Sequence, residues 1–212
     1  MQSLKTRVSV LGAAIGLALI GLPASGYAVT FTAAQNSDEC TAGCGIISAN
    51  TVTVTDAGFN TVDVTATLPA SWSFITTGAG QASFAFSSSL SNLGLAIQPG
   101  TTNQLTWTTV GPVASLMEDG LVFHTSAYGA DANRSPSLGA GNNVLVLTIT
   151  ATGLTAATFV ADLQAATNPG GNPVTPAAFF AADVLNTNNG ATASLTLVAL
   201  YPAPSSVLAF LA

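Results

Sequence analysis

Hydrophobic and polar residues alternate with a period of two along much of the chain. In the segment TVDVTATL, Val62, Val64, Ala66 and Leu68 fall on one side, while Asp63 and the threonines fall on the other. Successive side chains of a strand point to opposite faces, so this pattern is typical of a strand with one buried face. The preceding segment TVTVT alternates in the same way, and the intervening DAGFN is rich in turn residues. Together the two segments predict a β-hairpin.

The same alternation recurs in further segments, each bounded by Gly, Asn or Pro. The segment LTAATFVADLQAA has room for one helical turn or a short helix, and no other helical period is evident after the N-terminal apolar run. Short strands separated by turns predict an all-β fold, a single antiparallel β-sandwich with a jelly-roll-like arrangement. The segments are SWSFITT, ASFAFSS, LGLAI, QLTWTTV, GLVFHTSAY, NNVLVLTITATG, AFFAADVL and ATASLTLVALY.

The first residues have the three parts of a secretory signal peptide. Lys5 and Arg7 precede an apolar run at 8–22, and the sequence GYA at 26–28 supplies small residues for cleavage. The run is short for a membrane span of about 20 residues, so we expect cleavage near residue 28 and no stable span in the mature chain. The predicted organisation is a signal peptide at 1–28, a β-sandwich domain at 29–200 and a tail at 201–212.

Charged residues are sparse, at 6% of the chain. Loss of the signal peptide leaves Arg134 as the single Lys or Arg against nine acidic residues. Nucleic-acid binding is excluded because it needs clustered basic side chains, and anionic membrane surfaces are disfavoured for the same reason. The polar surface must therefore consist of Thr, Ser, Asn and Gln. Because few lysines protect the strand edges, the composition also favours edge-to-edge association.

Two cysteines, Cys40 and Cys44, lie in ECTAGCGI. An exported protein meets an oxidising compartment, so an intrachain disulfide is the favoured state, with intermolecular pairing as the alternative. Two thiols are too few for structural zinc, and the single histidine, His124, is distant in sequence. The stretch 131–133 (DAN) begins like a calcium loop, but Arg134 follows and later acidic ligands are missing, which favours an Asx-rich turn. We predict no metal, although an oxygen-only site built from distant loops stays open.

The sequence offers little support for a catalytic site. His124 lies in the strand-like segment LVFHTSA, and no nucleophile elbow of the G-x-S-x-G type is present. Glu39 and Glu118 are the only glutamates, and the sequence EDG at 118–120 is typical of a solvated turn. We therefore predict a non-enzymatic protein without a cofactor, in which His124 is structural or incidental.

Three aromatic residues are candidates for stacking on sugar rings: Trp72, Trp107 and Tyr128. Burial in the core is the alternative, and the favoured interpretation for both tryptophans. Trp107 lies in an alternating segment, Trp72 shares a strand face with Phe74, and aromatic side chains dominate the buried area of small domains.

The C-terminal segment YPAPSSVLAFLA resembles the start of a PEP-CTERM sorting signal, the tag of exosortase-processed bacterial proteins. In that family a Pro-Glu-Pro motif leads into a transmembrane helix and a basic cluster. Ala203 stands where the motif has glutamate, and the following apolar run is short of a span and lacks Lys and Arg. The tail thus resembles a truncated or degenerate signal, which argues against an interaction with the sorting enzyme. The motif-like residues are Pro202, Ala203, Pro204 and Ser205.

The body of the chain is also similar to a recurrent domain of PEP-CTERM proteins over most of residues 40–200. The similar stretches are SFITTGAG with FAF, NNVLVLTITATGLTAATFVADLQ, and AAFFAADVLNTNNGATASL with its core at 180–183. The CTAGCG stretch is of the kind seen in these proteins. The shared motifs are structural and supply no active-site residue. We interpret Asp183 as a hydrogen-bonding residue at a strand edge or turn.

The resemblance implies a protein exported to the outer surface or extracellular matrix of a Gram-negative bacterium that makes exopolysaccharide. We expect a non-enzymatic envelope or matrix protein associated with exopolysaccharide or biofilm, whose partners are the polysaccharide or other surface proteins. Two alternatives stay open. One is a carbohydrate-binding module that uses exposed aromatic residues, and the other is a self-associating structural surface subunit.

Overall fold

The computed structural model describes residues 27–36, 50–76, 82–102, 107–118, 120–132 and 142–199. Within these ranges the chain forms antiparallel β-structure with one short helix, and the predicted all-β sandwich is confirmed. Several sequence predictions fall outside the described residues: residues 1–26 of the predicted signal peptide, both cysteines, Arg134 and the motif-like residues at 202–205.

Strands make up most of the described chain, and α1 spans Ala156–Asp162. The strands are β1 (Ala28–Asn36), β2 (Thr51–Gly58), β3 (Thr61–Thr67), β4 (Trp72–Phe74), β5 (Phe84–Ser88), β6 (Gly94–Ile97), β7 (Thr108–Glu118), β8 (Leu121–Asp131), β9 (Val144–Thr150), β10 (Leu163–Gln164), β11 (Ala178–Asn186) and β12 (Thr192–Ala199).

Hydrogen bonds join the strands in the order β6-β9-β3-β2-β1-β12-β11-β5-β8-β7, with β10 on β5 and β4 on β11. This ladder folds back on itself, so that strands from its two halves enclose one core. Val52 of β2 and Ala66 of β3 line the same small internal cavity as Phe84 of β5 and Ala182 of β11. Each half thereby buries the apolar face that its alternating sequence provides.

The predicted hairpin is formed by β2 and β3. Val54 lies opposite Val64, and Val52 lies opposite Ala66. These four residues are buried, whereas the threonines that alternate with them are half-buried. The hydrophobic pattern accounts for the register and the buried face of this hairpin, because a slip of one residue would turn its apolar side chains to solvent.

Stacked aromatic rings fill the centre of the sandwich. Phe84 stacks on Phe180 and Phe86 stacks on Tyr128, each at a centroid distance of 5.6 Å. Phe159 of α1 meets the ring of Phe86 edge to face at 5.6 Å, which anchors the helix on the core. Complete burial of a phenylalanine contributes about 1.5–3 kcal/mol, so these rings are a principal source of stability.

A second, smaller hydrophobic cluster lies on the opposite face of β5, β8 and β11. It contains Ala85, Phe123 and Ala181, and Ala166 and Val174 from the segment between α1 and β11 pack with them. Because this segment covers the outer face, β5 is buried on both sides rather than alternately. No helix among the described residues is long and apolar enough to cross a membrane.

Candidate functional site

The three predicted sugar-stacking residues are buried. Trp72 is 5% exposed, Trp107 is 6% exposed and Tyr128 is completely buried. Trp107 donates its indole N–H to the carbonyl oxygen of Thr102 at 2.9 Å and meets Phe74 edge to face. A buried ring offers no face to a sugar, so the assignment of these residues to glycan stacking is wrong. The alternative, that the tryptophans belong to the core, is what the structure shows.

His124 lies on the exposed side of β8 and directly opposite Ser115 of β7. Its Nε2 atom is 3.0 Å from the hydroxyl oxygen of Thr167, and the backbones of Thr167 and Val122 exchange hydrogen bonds. These contacts tie the segment after α1 to β8. The side chain of His124 thus takes part in the contact between β8 and the segment after α1.

The acidic candidates lie apart from one another. Glu118 ends β7, opposite Leu121, and Asp131 ends β8 and accepts a hydrogen bond from the hydroxyl of Thr76. The Thr76 hydroxyl is also 2.8 Å from that of Ser83, so the Asp131 carboxylate belongs to a polar network at the end of β8. The described residues contain no group of three His, Cys, Asp or Glu side chains that could hold a metal ion.

Asp183 is buried within β11, opposite Ser194 of β12. Its backbone carbonyl accepts a hydrogen bond from the Ile75 amide at 3.1 Å. Since β11 has neighbouring strands on both sides, the expected position of Asp183 at a strand edge or turn is wrong.

Phe59 is the most exposed of the large hydrophobic side chains among the described residues. It is 93% exposed and lies at the tip of the β2–β3 hairpin. Gly58 before it has a φ of 144° and Asn60 after it has a φ of 60°. Glycine and asparagine adopt such left-handed conformations most readily, so the sequence Gly-Phe-Asn forms this tight turn with little strain. The turn holds the phenylalanine ring away from the sandwich.

An open groove of about 640 Å³ lies beside Phe59. Its second wall is the connection between β9 and α1, which Asn60 holds against the hairpin. The Asn60 side-chain oxygen accepts a hydrogen bond from the Gly153 amide at 2.7 Å, and its backbone carbonyl accepts one from the Ala151 amide at 3.2 Å. The groove is lined by Asp56, Gly58, Phe59, Asn60, Gly153, Leu154 and Thr155.

Asp56 fixes the other end of the groove. Its Oδ1 atom accepts a hydrogen bond from the Ala156 amide in the first turn of α1 at 2.6 Å, and its Oδ2 atom accepts one from the Tyr27 amide at 3.1 Å. The adjacent Thr155 forms a capping box with Thr158. Because hydrogen bonds join the two walls directly, the groove is a preformed feature of the fold.

The groove combines an apolar ring with oxygen and amide groups. Phe59 supplies an uncovered aromatic face, the Asn60 amide carries N–H donors, and Asp56 and Thr155 carry acceptor oxygens. An arrangement of one ring and a few polar groups suits a ligand that has both C–H faces and hydroxyl groups, such as a sugar.

Phe59 is not among the site residues predicted from the sequence. The signal that identifies it is its position: an aromatic residue inside DAGFN, between two strands that bury their own apolar faces. An aromatic residue at a hairpin tip has no core to enter. The opposite wall was not predictable, because it comes from residues about a hundred positions further along the chain.

No protein-family model, no curated protein and no solved structure matches this chain.

Proposed function

We propose that this chain is a non-enzymatic exported protein of the bacterial envelope or extracellular matrix that associates with exopolysaccharide through the Phe59 groove. The observation that carries the proposal is the 93% exposure of Phe59 beside a preformed groove with polar walls. The exposed aromatic face of Phe59 can stack on a sugar ring, and the polar groups of the adjacent walls can bind the hydroxyl groups of that sugar.

Charge narrows the class of polysaccharide. Without the predicted leader the chain carries nine acidic residues against Arg134 as its single Lys or Arg, so its formal net charge is strongly negative. A polyanionic polymer would be repelled by this field, whereas a neutral polymer pays no such penalty. The proposed ligand is therefore a neutral or sparsely charged exopolysaccharide, held by ring stacking and hydrogen bonds to hydroxyl groups.

The test is retention of the exported protein on a neutral exopolysaccharide isolated from the producing bacterium. Burial of one phenylalanine side chain is worth about 1.5–3 kcal/mol, so Phe59→Ala should weaken binding about 10- to 100-fold. Met117→Ala is the matched control, because Met117 is a 44% exposed apolar residue on β7, at the far end of the strand order.

Both variants should unfold at the wild-type temperature, since neither side chain is in the core. Equal retention of wild type and Phe59→Ala, or no retention of the wild type, would refute the proposed contact.

Self-association of the same chain is a second candidate function, favoured by the position of β7. This strand spans 11 residues, is mostly exposed and ends the order of strands in the described chain. It carries one charged residue, Glu118, although Pro112 and register shifts interrupt its ladder with β8. Sedimentation of the folded protein over a range of concentrations tests this candidate, and a single monomeric species at all concentrations would exclude it.

A further inference from the structure

We propose that export processing cuts the peptide bond between Gly26 and Tyr27, and that the new N-terminal ammonium of Tyr27 pairs with the Asp56 carboxylate. The inference rests on the predicted export of the chain and moves the cleavage point from residue 28. Hydrolysis by a signal peptidase consumes one water, breaks the C–N bond and leaves a carboxylate on Gly26 and an ammonium on Tyr27.

The geometry around Asp56 favours this bond. The Tyr27 nitrogen donates to Asp56 Oδ2 at 3.1 Å, while Oδ1 is held by the Ala156 amide at 2.6 Å. The Tyr27 carbonyl also accepts a hydrogen bond from the Asp56 amide at 3.2 Å. Asp56 is thus anchored on α1, with its second oxygen directed at the atom that carries the charge after cleavage. An ammonium donor makes this a charge-assisted hydrogen bond, which is stronger than one from a neutral amide.

Cleavage after Ala28 would remove part of the folded structure. Ala28 lies opposite Thr55 and Val29 lies opposite Val54 in the ladder between β1 and β2. That cut would delete the first ladder position and both contacts of Tyr27 with Asp56. It would also place the new charge on Val29, whose side chain is buried, and a charge near a buried position loses hydration.

The sequence permits both cuts. Signal peptidases require small residues at the last and third-last positions of the leader. Ala24 and Gly26 meet this requirement for a product that begins at Tyr27, and Gly26 and Ala28 meet it for one that begins at Val29. The two products differ in the folded chain: the one that begins at Tyr27 keeps both contacts with Asp56, and the one that begins at Val29 loses them.

The Tyr27 ammonium would be one of the few positive charges in this chain. After loss of the leader, Arg134 is the only remaining Lys or Arg against nine acidic residues. An N-terminal ammonium that pairs with the Asp56 carboxylate therefore neutralises one of the few charges beside the Phe59 groove. Cleavage before Tyr27 also keeps this residue, which is 39% exposed, next to that carboxylate. Both effects suit a groove that takes an uncharged ligand.

The test is the intact mass and N-terminal sequence of the protein recovered from outside the cells. We expect a chain that begins Tyr-Ala-Val-Thr. The Ala28→Leu variant should give the same start, because Ala28 is exposed and lies outside the required positions. The Ala24→Leu variant should lose most of that product. A wild-type chain that begins at Val29, or loss of processing in Ala28→Leu, would overturn the proposed bond.

The same experiment distinguishes a failure of the predicted export from a failure of the proposed cleavage position. An uncleaved chain found only inside the cells would overturn export and the proposed function with it. An exported chain that begins at Val29 would overturn only the choice of bond. A chain with a start at Tyr27 should also melt at a higher temperature than one with an acetylated Tyr27, and the difference should vanish in Asp56→Asn.

Discussion

At the scale of single residues, the hydroxyl group of Tyr128 bridges two backbone groups of one connection. The Tyr128 hydroxyl donates to the carbonyl oxygen of Leu90 and accepts from the amide of Leu93, each at 3.2 Å. Both partners lie in the connection between β5 and β6, so a side chain of β8 satisfies backbone groups that no strand pairs. Buried backbone groups without partners are costly, which explains a tyrosine at this buried position.

Tyr128→Phe should therefore destabilise the protein although the ring and its stacking on Phe86 are retained. The expected loss is about 1–3 kcal/mol of unfolding free energy, because a buried donor and acceptor lose their partner. Denaturant unfolding measures the change, with Phe59→Tyr as a control that adds a hydroxyl to an exposed ring without loss of stability. An unfolding free energy for Tyr128→Phe equal to that of the wild type would contradict the assigned role.

Residue roles were only partly predictable from the sequence. The alternation at Val62, Val64 and Ala66 identified the buried face because a strand exposes its sides in turn. The same reasoning favoured burial of the tryptophans, whereas Tyr128 was predicted only as a candidate for stacking on sugar rings. Whether a ring in a strand points inwards depends on what covers that face, and here the covering segments come from elsewhere in the chain.

At the scale of elements, the stability of α1 comes from its capping residues rather than from its length. The helix spans 7 residues, has no acidic residue in its first turn and no basic residue in its last. Thr155 accepts a hydrogen bond from the Thr158 amide, and the Thr158 hydroxyl interacts with the Thr155 backbone. Burial of Phe159 and this capping box hold in place a helix that would not form alone.

Thr155→Ala should lower the unfolding free energy by about 1 kcal/mol, because the side-chain cap on the first turn is lost. Thr155→Ser keeps the capping hydroxyl and should retain most of the stability. Because Thr155 lines the Phe59 groove, the alanine variant should also weaken polysaccharide retention, whereas the serine variant should bind nearly as the wild type. Equal unfolding free energies for the alanine and serine variants would show that the capping box contributes nothing.

Strands with one buried face were predictable from the sequence, whereas a strand that is buried on both faces was less predictable. The β2–β3 hairpin follows from its alternation and its turn residues. β5 is buried on both faces because the segment after α1 covers it, and no local pattern shows that cover. β1 begins at Ala28, where the sequence indicated the end of the leader, so a strand was not expected there.

At the scale of the whole molecule, the strand order is a long-range property. β1 pairs with both β2 and β12, which joins the start of the described chain to its end. The hydrophobic pattern predicts how many faces must be buried but not which strands become neighbours. The groove depends on this order, since the β2–β3 turn reaches the start of α1 only when β3 and β9 are paired.

The most direct test of the proposed polysaccharide binding at the Phe59 groove is an amide NMR titration of the protein. The ligand is a set of short fragments of the neutral exopolysaccharide from the producing bacterium. We predict that the shifted amides cluster at 56–61 and 151–156, the two walls of the groove, and that Phe59→Ala reduces these shifts. Shifts that cluster on β7 or elsewhere, or a spectrum unchanged at saturating fragment concentration, would contradict the account.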